Sequence, residues 1–255
     1  TKVHSVAGLL TPGKALVTSR PFRAPHHTVS TPGLAGGGTN PRPGEVSLAH
    51  NGVLFLDELP EFRRSSLEVM RQPMESGKVI ISRSAATVEL PARFMLVAAM
   101  NPCPCGYLTH PSKSCNCTAG QVQRYLGRIS GPLLDRIDIH LEVLPVPRND
   151  LNASSFQGET SLQIRERVKR ARERQTERFR DTSGIHSNSG MTSTLTRTMA
   201  ELETGGRKLL DQAAARFNLS ARGYYRTIKV ARTIADLEDS KTVKEAHIAE
   251  AVQYR

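Results

Sequence analysis

Short apolar runs bounded by turn residues occur through the first half of the chain and predict a β-containing core. Val53-Leu-Phe-Leu56 follows Asn51-Gly52 and is closed by Asp57-Glu58, a pattern typical of a buried parallel strand. Phe94 to Met100 predicts a second buried strand. Ile137 to Val143 alternates apolar and polar residues and predicts a third. These runs together indicate a sheet of the α/β type.

A helix and a β-hairpin are predicted between the first two of these strands. Phe62 to Met74 carries apolar residues at helical spacing and is followed by Gly77, which is typical of a helix C-terminus. Val79 to Ile81 and Thr87 to Leu90 flank Ser82 to Ala86, an arrangement that predicts a hairpin.

The pattern changes after Leu144-Pro-Val-Pro147, where β-rich runs give way to helical periodicity. We therefore predict an α/β domain over residues 1–147 and a helical domain over 148–255. Within the first domain, residues 20–44 are rich in Pro, Gly, His and Thr and predict loops. In the second, helices are predicted over 160–181, 207–217, 220–238 and 242–253, the last two capped by Ser220 and Thr242, with a flexible connection over 181–198.

Composition narrows the class of protein. The 255 residues include 35 Lys and Arg against 24 Asp and Glu, a formal net charge of +11 that favours contact with polyanions. The longest apolar run is far shorter than the roughly 18 residues of a membrane span, so we expect a soluble protein without a membrane partner. The first residues contain neither an initiator Met nor a signal peptide, which indicates a cytoplasmic protein or part of a longer chain.

Polar residues follow the first two predicted strands at the point where each ends. Asp57 and Glu58 follow the first strand, and such a pair suits phosphoryl transfer, where one carboxylate holds Mg²⁺ and the other polarises water. A solvated acidic turn explains the pair equally well. Asn101 follows the second strand and could orient the same water. Arg136 follows the Leu133-Leu-Asp sequence and could neutralise charge on a transferred phosphate.

Several sequence motifs together resemble those of the AAA+ ATPases. The particular residues in these motifs resemble the magnesium-chelatase-like branch, of the ComM/YifB type. The resemblance covers nearly the whole chain. The strings that carry it are Arg20-Pro-Phe-Arg-Ala-Pro-His-His27, Pro43-Gly-Glu-Val-Ser-Leu-Ala-His50, Gly52-Val-Leu-Phe-Leu-Asp-Glu58, Ala98-Ala-Met-Asn-Pro-Cys-Pro-Cys-Gly106, Gly131-Pro-Leu-Leu-Asp-Arg136 and Ser220-Ala-Arg222.

The resemblance implies roles for individual residues. Asp57 and Glu58 would be the Walker B pair, with Asp57 also contacting the Mg²⁺ of bound ATP, and Asn101 would be sensor 1. Arg136 would be the arginine finger offered to a neighbouring subunit of a homo-oligomeric ring, expected to be a hexamer. Arg222 would be sensor 2; its place in the first turn of a helix, where a cation opposes the helix dipole, favours a role beyond stability.

One element of the family pattern is missing from the sequence. A nucleotide-binding AAA+ module needs a P-loop ahead of Walker B. The only string with that spacing is Gly8-Leu-Leu-Thr-Pro-Gly-Lys14-Ala15, which ends in Ala where a Mg²⁺-binding hydroxyl is needed. We interpret it as a loop. The expected fold is thus an incomplete AAA+ parallel-sheet domain followed by a helical lid, and the expected chain is a C-terminal fragment that is inactive alone.

Cys103, Cys105, Cys115 and Cys117 form a Cys-x-Cys pair, nine residues, and a second Cys-x-Cys pair. Four cysteines within 15 residues of a cytoplasmic protein favour a Cys₄ zinc knuckle, although free thiols and disulfides remain alternatives. His110 lies between the pairs and could replace one ligand.

Two groups of basic residues are candidates for DNA binding. By the resemblance, residues 20–44 correspond to the helix-2 insertion and residues 77–94 to the pre-sensor-1 hairpin, two elements that project into the central pore of related ring motors. Lys78 and Arg83 are therefore candidate DNA contacts. An ordinary role as surface charges explains them equally well. Residues 165–180 hold eight cations and three acids, which fits a solvated helix as well as a nucleic-acid surface.

The favoured hypothesis is the C-terminal part of a ring ATPase that couples ATP hydrolysis to DNA translocation or branch migration in recombination or natural transformation. A non-enzymatic nucleic-acid-binding or assembly module is the first alternative. The motor subunit of a metal chelatase is the second.

Overall fold

The computed structural model describes residues 1–255 except 11, 12, 14, 39, 40, 83–86 and 147–157. The chain forms two compact units, Thr1–Ile137 and Asp138–Arg255. The domain boundary predicted near Pro147 falls outside the described residues.

The first unit contains seven described strands and seven described α-helices. The strands are β1 (Phe22–Arg23), β2 (Gly36–Gly37), β3 (Arg42–Pro43), β4 (Val53–Leu56), β5 (Lys78–Ser82), β6 (Thr87–Pro91) and β7 (Met95–Ala98). The helices are α1 (Lys2–Val6), α2 (Thr31–Ala35), α3 (Glu45–Leu48), α4 (Arg64–Val69), α5 (Arg71–Ser76), α6 (Ala119–Leu126) and α7 (Gly131–Leu134).

A three-stranded parallel sheet lies at the centre of this unit, in the order β1-β4-β7. The middle strand, β4, is an uninterrupted apolar run that buries one face fully and the other in part. Leu54 and Leu56 are fully buried in a core with α2 to α5, and Phe55 lies on the half-buried face. The predicted strands at Val53–Leu56 and within Phe94 to Met100 are confirmed, as is the α/β fold class. The expected burial of the second strand is wrong, because Met95 is 64% and Val97 40% exposed in β7, which is an edge strand of the described sheet.

The predicted hairpin is confirmed as β5 and β6, which pair antiparallel from Lys78 opposite Pro91 to Ser82 opposite Thr87. The helix predicted over Phe62 to Met74 is instead two short helices, α4 and α5. Pro73 has no N–H to donate to the carbonyl of Val69, so the hydrogen-bond ladder breaks between them. The second helix ends as predicted at Gly77, which adopts a left-handed φ of 66°.

Two further expectations for the first domain are wrong. Residues 20–44 are not only loop: they contain β1 and α2, and Leu34 of α2 is fully buried. Ile137 to Val143 forms no strand. Leu141 is 70% and Val143 89% exposed, and in the described part of the chain no strand pairs with this segment, so its alternating pattern has no sheet to join.

The second unit is helical, as predicted. Its described helices are α8 (Ser161–Arg178), α9 (Ser193–Met199), α10 (Thr204–Arg216), α11 (Ala221–Leu237) and α12 (Glu245–Gln253). The last three pack around buried apolar residues that include Leu210, Ile228, Val243 and Ile248. Ser220 caps α11 as expected, accepting a hydrogen bond from the Gly223 amide at 3.1 Å.

Two details of the second unit differ from the prediction. Thr242 does not cap α12, because its hydroxyl donates to Glu203 at 2.6 Å and Lys244 is the N-cap residue. The supposedly flexible connection over 181–198 contains a 3₁₀ turn at Asn188–Gly190 and helix α9. Asn188 anchors that turn through its buried side chain.

Candidate functional site

The carboxyl ends of the parallel strands bring the predicted Walker B and sensor 1 residues to one edge of the sheet. Leu56 of β4 lies opposite Ala98 of β7, and the Leu59 amide donates to the Ala99 carbonyl at 3.0 Å. Asp57 therefore leaves the sheet beside the segment that leads to Asn101. Asp57 and Asn101 are exposed, as groups that contact a ligand must be.

Glu58 is held in an unusual backbone conformation at this edge. Its φ of 52° and ψ of 45° lie in the left-handed region, which non-glycine residues rarely adopt outside turns and functional sites. Its amide donates to Asp57 Oδ1 at 2.8 Å, so the two carboxylates diverge from a single fixed turn. The Glu58 carboxylate is half exposed.

A histidine not predicted as a site residue contacts Glu58. His27 Nδ1 lies 3.0 Å from Glu58 Oε2, a separation at which an Nδ1–H donates to the carboxylate. The His27 ring lies tilted against His26, with ring centroids 4.0 Å apart, and makes an edge-on contact with Phe62. His27 arrives here because β1 runs parallel to β4 and ends at the same edge. The only sequence signal was its place at the end of the motif Arg20-Pro-Phe-Arg-Ala-Pro-His-His27.

The predicted arginine finger, Arg136, lies elsewhere in the first unit and is buried. Its Nη1 donates to the Pro132 carbonyl at 2.5 Å, and its Nη2 lies 3.0 Å from Glu75 Oε1. Only 7% of its side chain is exposed. It borders a cleft of about 700 Å³ that α5 and β5 also line. The partner Glu75 was not predicted.

The remaining predicted residues are dispersed. Arg222 is exposed in the first turn of α11, in the second unit. Lys78 lies at the start of β5, where its Nζ is 2.6 Å from Glu89 Oε1 on the facing strand. Arg83 lies outside the described residues. The Gly8-to-Ala15 string is only partly described, since residues 11, 12 and 14 are among those left out.

The four cysteines form a cluster with the dimensions of a metal site. Their Sγ atoms all lie within 4.8 Å of one another, and three pairs are 3.3, 3.5 and 3.6 Å apart. A tetrahedral zinc site with bonds of about 2.3 Å places its sulfurs about 3.8 Å apart. A disulfide needs about 2.05 Å, and none of the four cysteines forms one. These four cysteines could therefore hold a metal ion.

Hydrogen bonds inside the cluster separate the acidities of its thiols. The pKa of Cys105 falls to about 6, chiefly because the Tyr107 amide donates to its sulfur and secondarily through Cys103. The Cys117 amide donates to Cys115 and lowers its pKa, but burial and the neighbouring sulfurs outweigh this and raise it to about 12. One thiolate therefore suppresses ionisation of the next, which is the electrostatic situation that a bound cation relieves.

His110 does not complete the cluster as a ligand. Its Nδ1 accepts the backbone N–H groups of Ser112 and Lys113, each at 3.1 Å, and its ring meets the edge of Tyr107. It therefore shapes the turn between the two Cys-x-Cys pairs.

A sequence model of the family described as magnesium chelatase, subunit ChlI, matches residues 1–151 of this chain. A model of the ChlI C-terminal region matches residues 158–255. The chain belongs to the magnesium chelatase ChlI family. This membership confirms the magnesium-chelatase-like resemblance and agrees with the AAA+ type of fold.

Several curated proteins that are similar to this chain come from bacteria. Competence protein ComM of Haemophilus influenzae is 48% identical over 236 residues, which cover 92% of this chain and 45% of ComM. YifB of Escherichia coli is 46% identical with the same coverage. Mb2921c of Mycobacterium bovis is 41% identical over 256 residues, covering 100% of this chain and 50% of that protein. The chain spans about half the length of the curated relatives it matches. None of its described helices combines the length and apolar character needed to cross a bilayer.

Proposed function

We propose that the sheet edge at Asp57, Glu58 and Asn101 is the hydrolytic side of an ATP site. Asp57 would hold Mg²⁺, Glu58 would activate the attacking water, and Asn101 would position that water. The observation that supports this most directly is the convergence of the strand ends, together with family membership. The oxygen donors present are those that Mg²⁺ prefers, so the residues fit the ion.

We further propose that hydrolysis requires a phosphate-binding loop, for which the Gly8-to-Ala15 string is a poor match. The 255-residue chain should therefore hydrolyse ATP negligibly. In the complete gene product, Glu58→Gln should reduce the ATP turnover number by about 10²- to 10⁴-fold while ATP still binds. Glu61→Gln, a neighbouring acid paired with Arg128, is the matched control. Turnover by the short chain that disappears with Glu58→Gln would contradict the need for a separate loop.

The proposed assembly is a homo-oligomeric ring, hexameric by resemblance, in which Arg136 and Arg222 stabilise the phosphates. For Arg136 to act on a neighbouring subunit, its ion pair with Glu75 must open. Glu75→Gln should therefore increase the rate at which phenylglyoxal modifies Arg136 several-fold, as read by peptide mass spectrometry. Glu89→Gln, which removes the carboxylate paired with Lys78, should leave that rate unchanged. An unchanged rate in Glu75→Gln would refute this account of how Arg136 is held.

DNA is the proposed polymer on which the motor acts, by translocation or branch migration. The net charge of +11 and the printed name of the competence relative support this. Replacing both Lys78 and Arg83 with Ala should weaken DNA binding and reduce the dependence of log K on log salt by about 1 to 2. Lys113→Ala, in the cysteine segment, is the control of equal charge type. Binding that keeps its full salt dependence would exclude the hairpin as the contact surface.

We infer that the ion held by the four cysteines is Zn²⁺, whose tetrahedral sulfur coordination matches the Sγ spacing. A reduced, metal-bound cluster also fits the cytoplasm as the compartment. Protein purified under reducing conditions should contain one zinc per chain by elemental analysis. Cys115→Ser should lose it, and His110→Ala should retain it. Metal-free wild-type protein that takes up no added Zn²⁺ would remove this proposal.

The alternative of a metal-chelatase motor subunit is supported by the family description. The two functions differ in what stimulates ATP turnover by the complete gene product. Stimulation by DNA and not by a porphyrin-loading partner supports the DNA motor, and the reverse result supports the chelatase.

A further inference from the structure

The cysteine segment connects the predicted sensor residue to a helix that returns to it. Asn101 lies two residues before Cys103, and Thr118, which follows Cys117, caps α6 by accepting the Gln121 amide. Near the end of α6, Tyr125 is 7% exposed. Both ends of the cysteine segment therefore lead back to the neighbourhood of Asn101.

Asn101 is contacted from two directions by this part of the chain. Burial and the Glu61 charge raise the pKa of the Tyr125 hydroxyl, and a hydrogen bond from the Asn101 backbone amide partly offsets them. On the other side, Gly106 approaches the Asn101 side chain, since a Cβ built on Gly106 would lie 3.9 Å from Asn101 Cγ and Oδ1. The backbone and the side chain of Asn101 thus have separate neighbours.

The cysteine segment has little of its own to hold it in place. Residues 102–118 contain no helix or strand, and Cys103 is the only buried residue among them. A segment of this kind cannot gain enough from apolar burial to offset the entropy lost on ordering it. An ion bound to four of its residues closes the loop between Cys103 and Cys117, releases the thiol protons to solvent and supplies the missing free energy.

We propose that metal binding by the four cysteines positions Asn101, and that Tyr125 is the positioning residue through which metal binding acts on Asn101. The bound ion orders residues 103–117, which fixes Gly106 against the Asn101 side chain and sets the start of α6. Tyr125 then holds the Asn101 amide at the sheet edge. This inference rests on the proposed metal binding and on the proposed role of Asn101, and it goes beyond both by coupling them.

The test measures hydrogen exchange of the Asn101 backbone amide by NMR in the 255-residue chain, stripped of metal and then titrated with Zn²⁺. One equivalent of Zn²⁺ should slow that exchange at least 10-fold, while the amides of β4 stay unchanged as an internal reference. Tyr125→Phe should bind Zn²⁺ with unchanged stoichiometry but lose most of the protection at Asn101. Tyr107→Phe, an exposed tyrosine of the same segment, should behave as wild type.

The outcomes separate the coupling from the metal site itself. Failure to bind Zn²⁺ would remove the metal proposal and this inference with it. Binding of Zn²⁺ with unchanged Asn101 exchange would overturn the coupling alone. Because the Zn²⁺ titration is done on the wild-type chain, it decides the question even if Tyr125→Phe folds poorly. If Tyr125→Phe loses protection at the β4 amides as well as at Asn101, the substitution destabilises the unit in general, and the positioning role of Tyr125 is overturned.

Discussion

A buried ion-pair network in the second unit gives the sharpest stability prediction, for Asp236→Asn. The Asp236 carboxylate is fully buried and accepts hydrogen bonds from Arg178 at 2.5 and 2.7 Å, from Asn188 at 2.8 Å and from Arg232 at 2.9 and 3.2 Å. Arg232 is itself 1% exposed. One carboxylate therefore compensates two guanidinium groups that join α8, the turn at Asn188 and α11.

The substitution keeps the shape of the side chain but removes its charge. The new amide can accept on one side only, and its NH₂ group faces donors. Removing one partner of a buried ion pair costs about 3–5 kcal/mol, because the remaining charges stay buried without compensation. We expect the free energy of unfolding of the second unit to fall by that amount. Its melting temperature should fall on the order of 10–20 °C.

Chemical denaturation followed by far-UV circular dichroism measures the effect, and hydrogen exchange in α11 assigns it to the second unit. Asp239→Asn is the matched control: it makes the same change three residues later, in a carboxylate that is 76% exposed and paired with Arg174. Asn also tolerates the left-handed φ of 65° at that position. The control should cost about 0–1 kcal/mol. Equal losses in the two variants would refute the assignment of stability to the buried network.

Three further predictions follow from other contacts. Burial alone would raise the pKa of Asp236, but hydrogen bonds to its carboxylate lower that pKa below the usual value. The stability that the ionised carboxylate contributes is therefore present above about pH 4 and should be lost as the pH falls further. The denaturation curves of the wild type and of Asp236→Asn should converge at low pH. Gly52→Ala should destabilise the chain by about 1–3 kcal/mol or more, because a Cβ would lie 1.9 Å from the Pro21 carbonyl oxygen. Gly120→Ala is the control: open space surrounds this position, so the variant should be neutral or stabilising in the same denaturation assay. Ser220→Ala should cost about 1 kcal/mol through loss of the α11 cap, and an unchanged unfolding midpoint would contradict that role.

Continuous apolar runs and helical periodicity predicted most of the longer elements. β4, α10 and α11 follow their patterns because side chains that define the pattern, such as Leu54, Leu210 and Ile228, form the core. β7 and α8 form where their patterns predict, although Met95 of β7 is 64% and Leu162 of α8 is 65% exposed. β1 could not be predicted in this way. It has only two residues, and its strand geometry comes from pairing with β4, where the Val53 amide donates to the Pro21 carbonyl at 2.9 Å.

Polar segments misled the prediction where side chains bond to the backbone. The segment before α9 is rich in Ser and Thr, which is typical of a loop. In the structure, Thr192 caps the helix by accepting the Leu195 amide at 3.2 Å, and the Thr196 hydroxyl donates back to the Thr192 carbonyl at 2.8 Å. Thr242 shows the reverse error, because a hydroxyl that suits an N-cap instead reaches Glu203, 39 residues away.

In the candidate site, too, the residues that local sequence patterns identify could be predicted, and the contacts between residues far apart in the sequence could not. Asp57, Glu58 and Asn101 could be placed together from sequence because strand ends meet at one edge of a parallel sheet. The cysteine cluster could be predicted because its four cysteines lie within 15 residues of one another in the sequence. The contacts that control these groups join residues 24 to 61 positions apart: His27 with Glu58, Asn101 with Tyr125, and Glu75 with Arg136.

These long-range partners change what the predicted residues do. Arg136, taken from the sequence as a cation offered to a neighbour, is a buried group held by Glu75, so its proposed role requires a rearrangement that exposes it. Glu58 is likewise held by the His27 imidazole and by its own left-handed backbone conformation. In both cases the partner sets the orientation of a charged group whose identity was already visible in the sequence. In the proposed function, the orientation of these groups therefore depends on Glu75, His27 and Tyr125 as much as on the residues that match the family motifs.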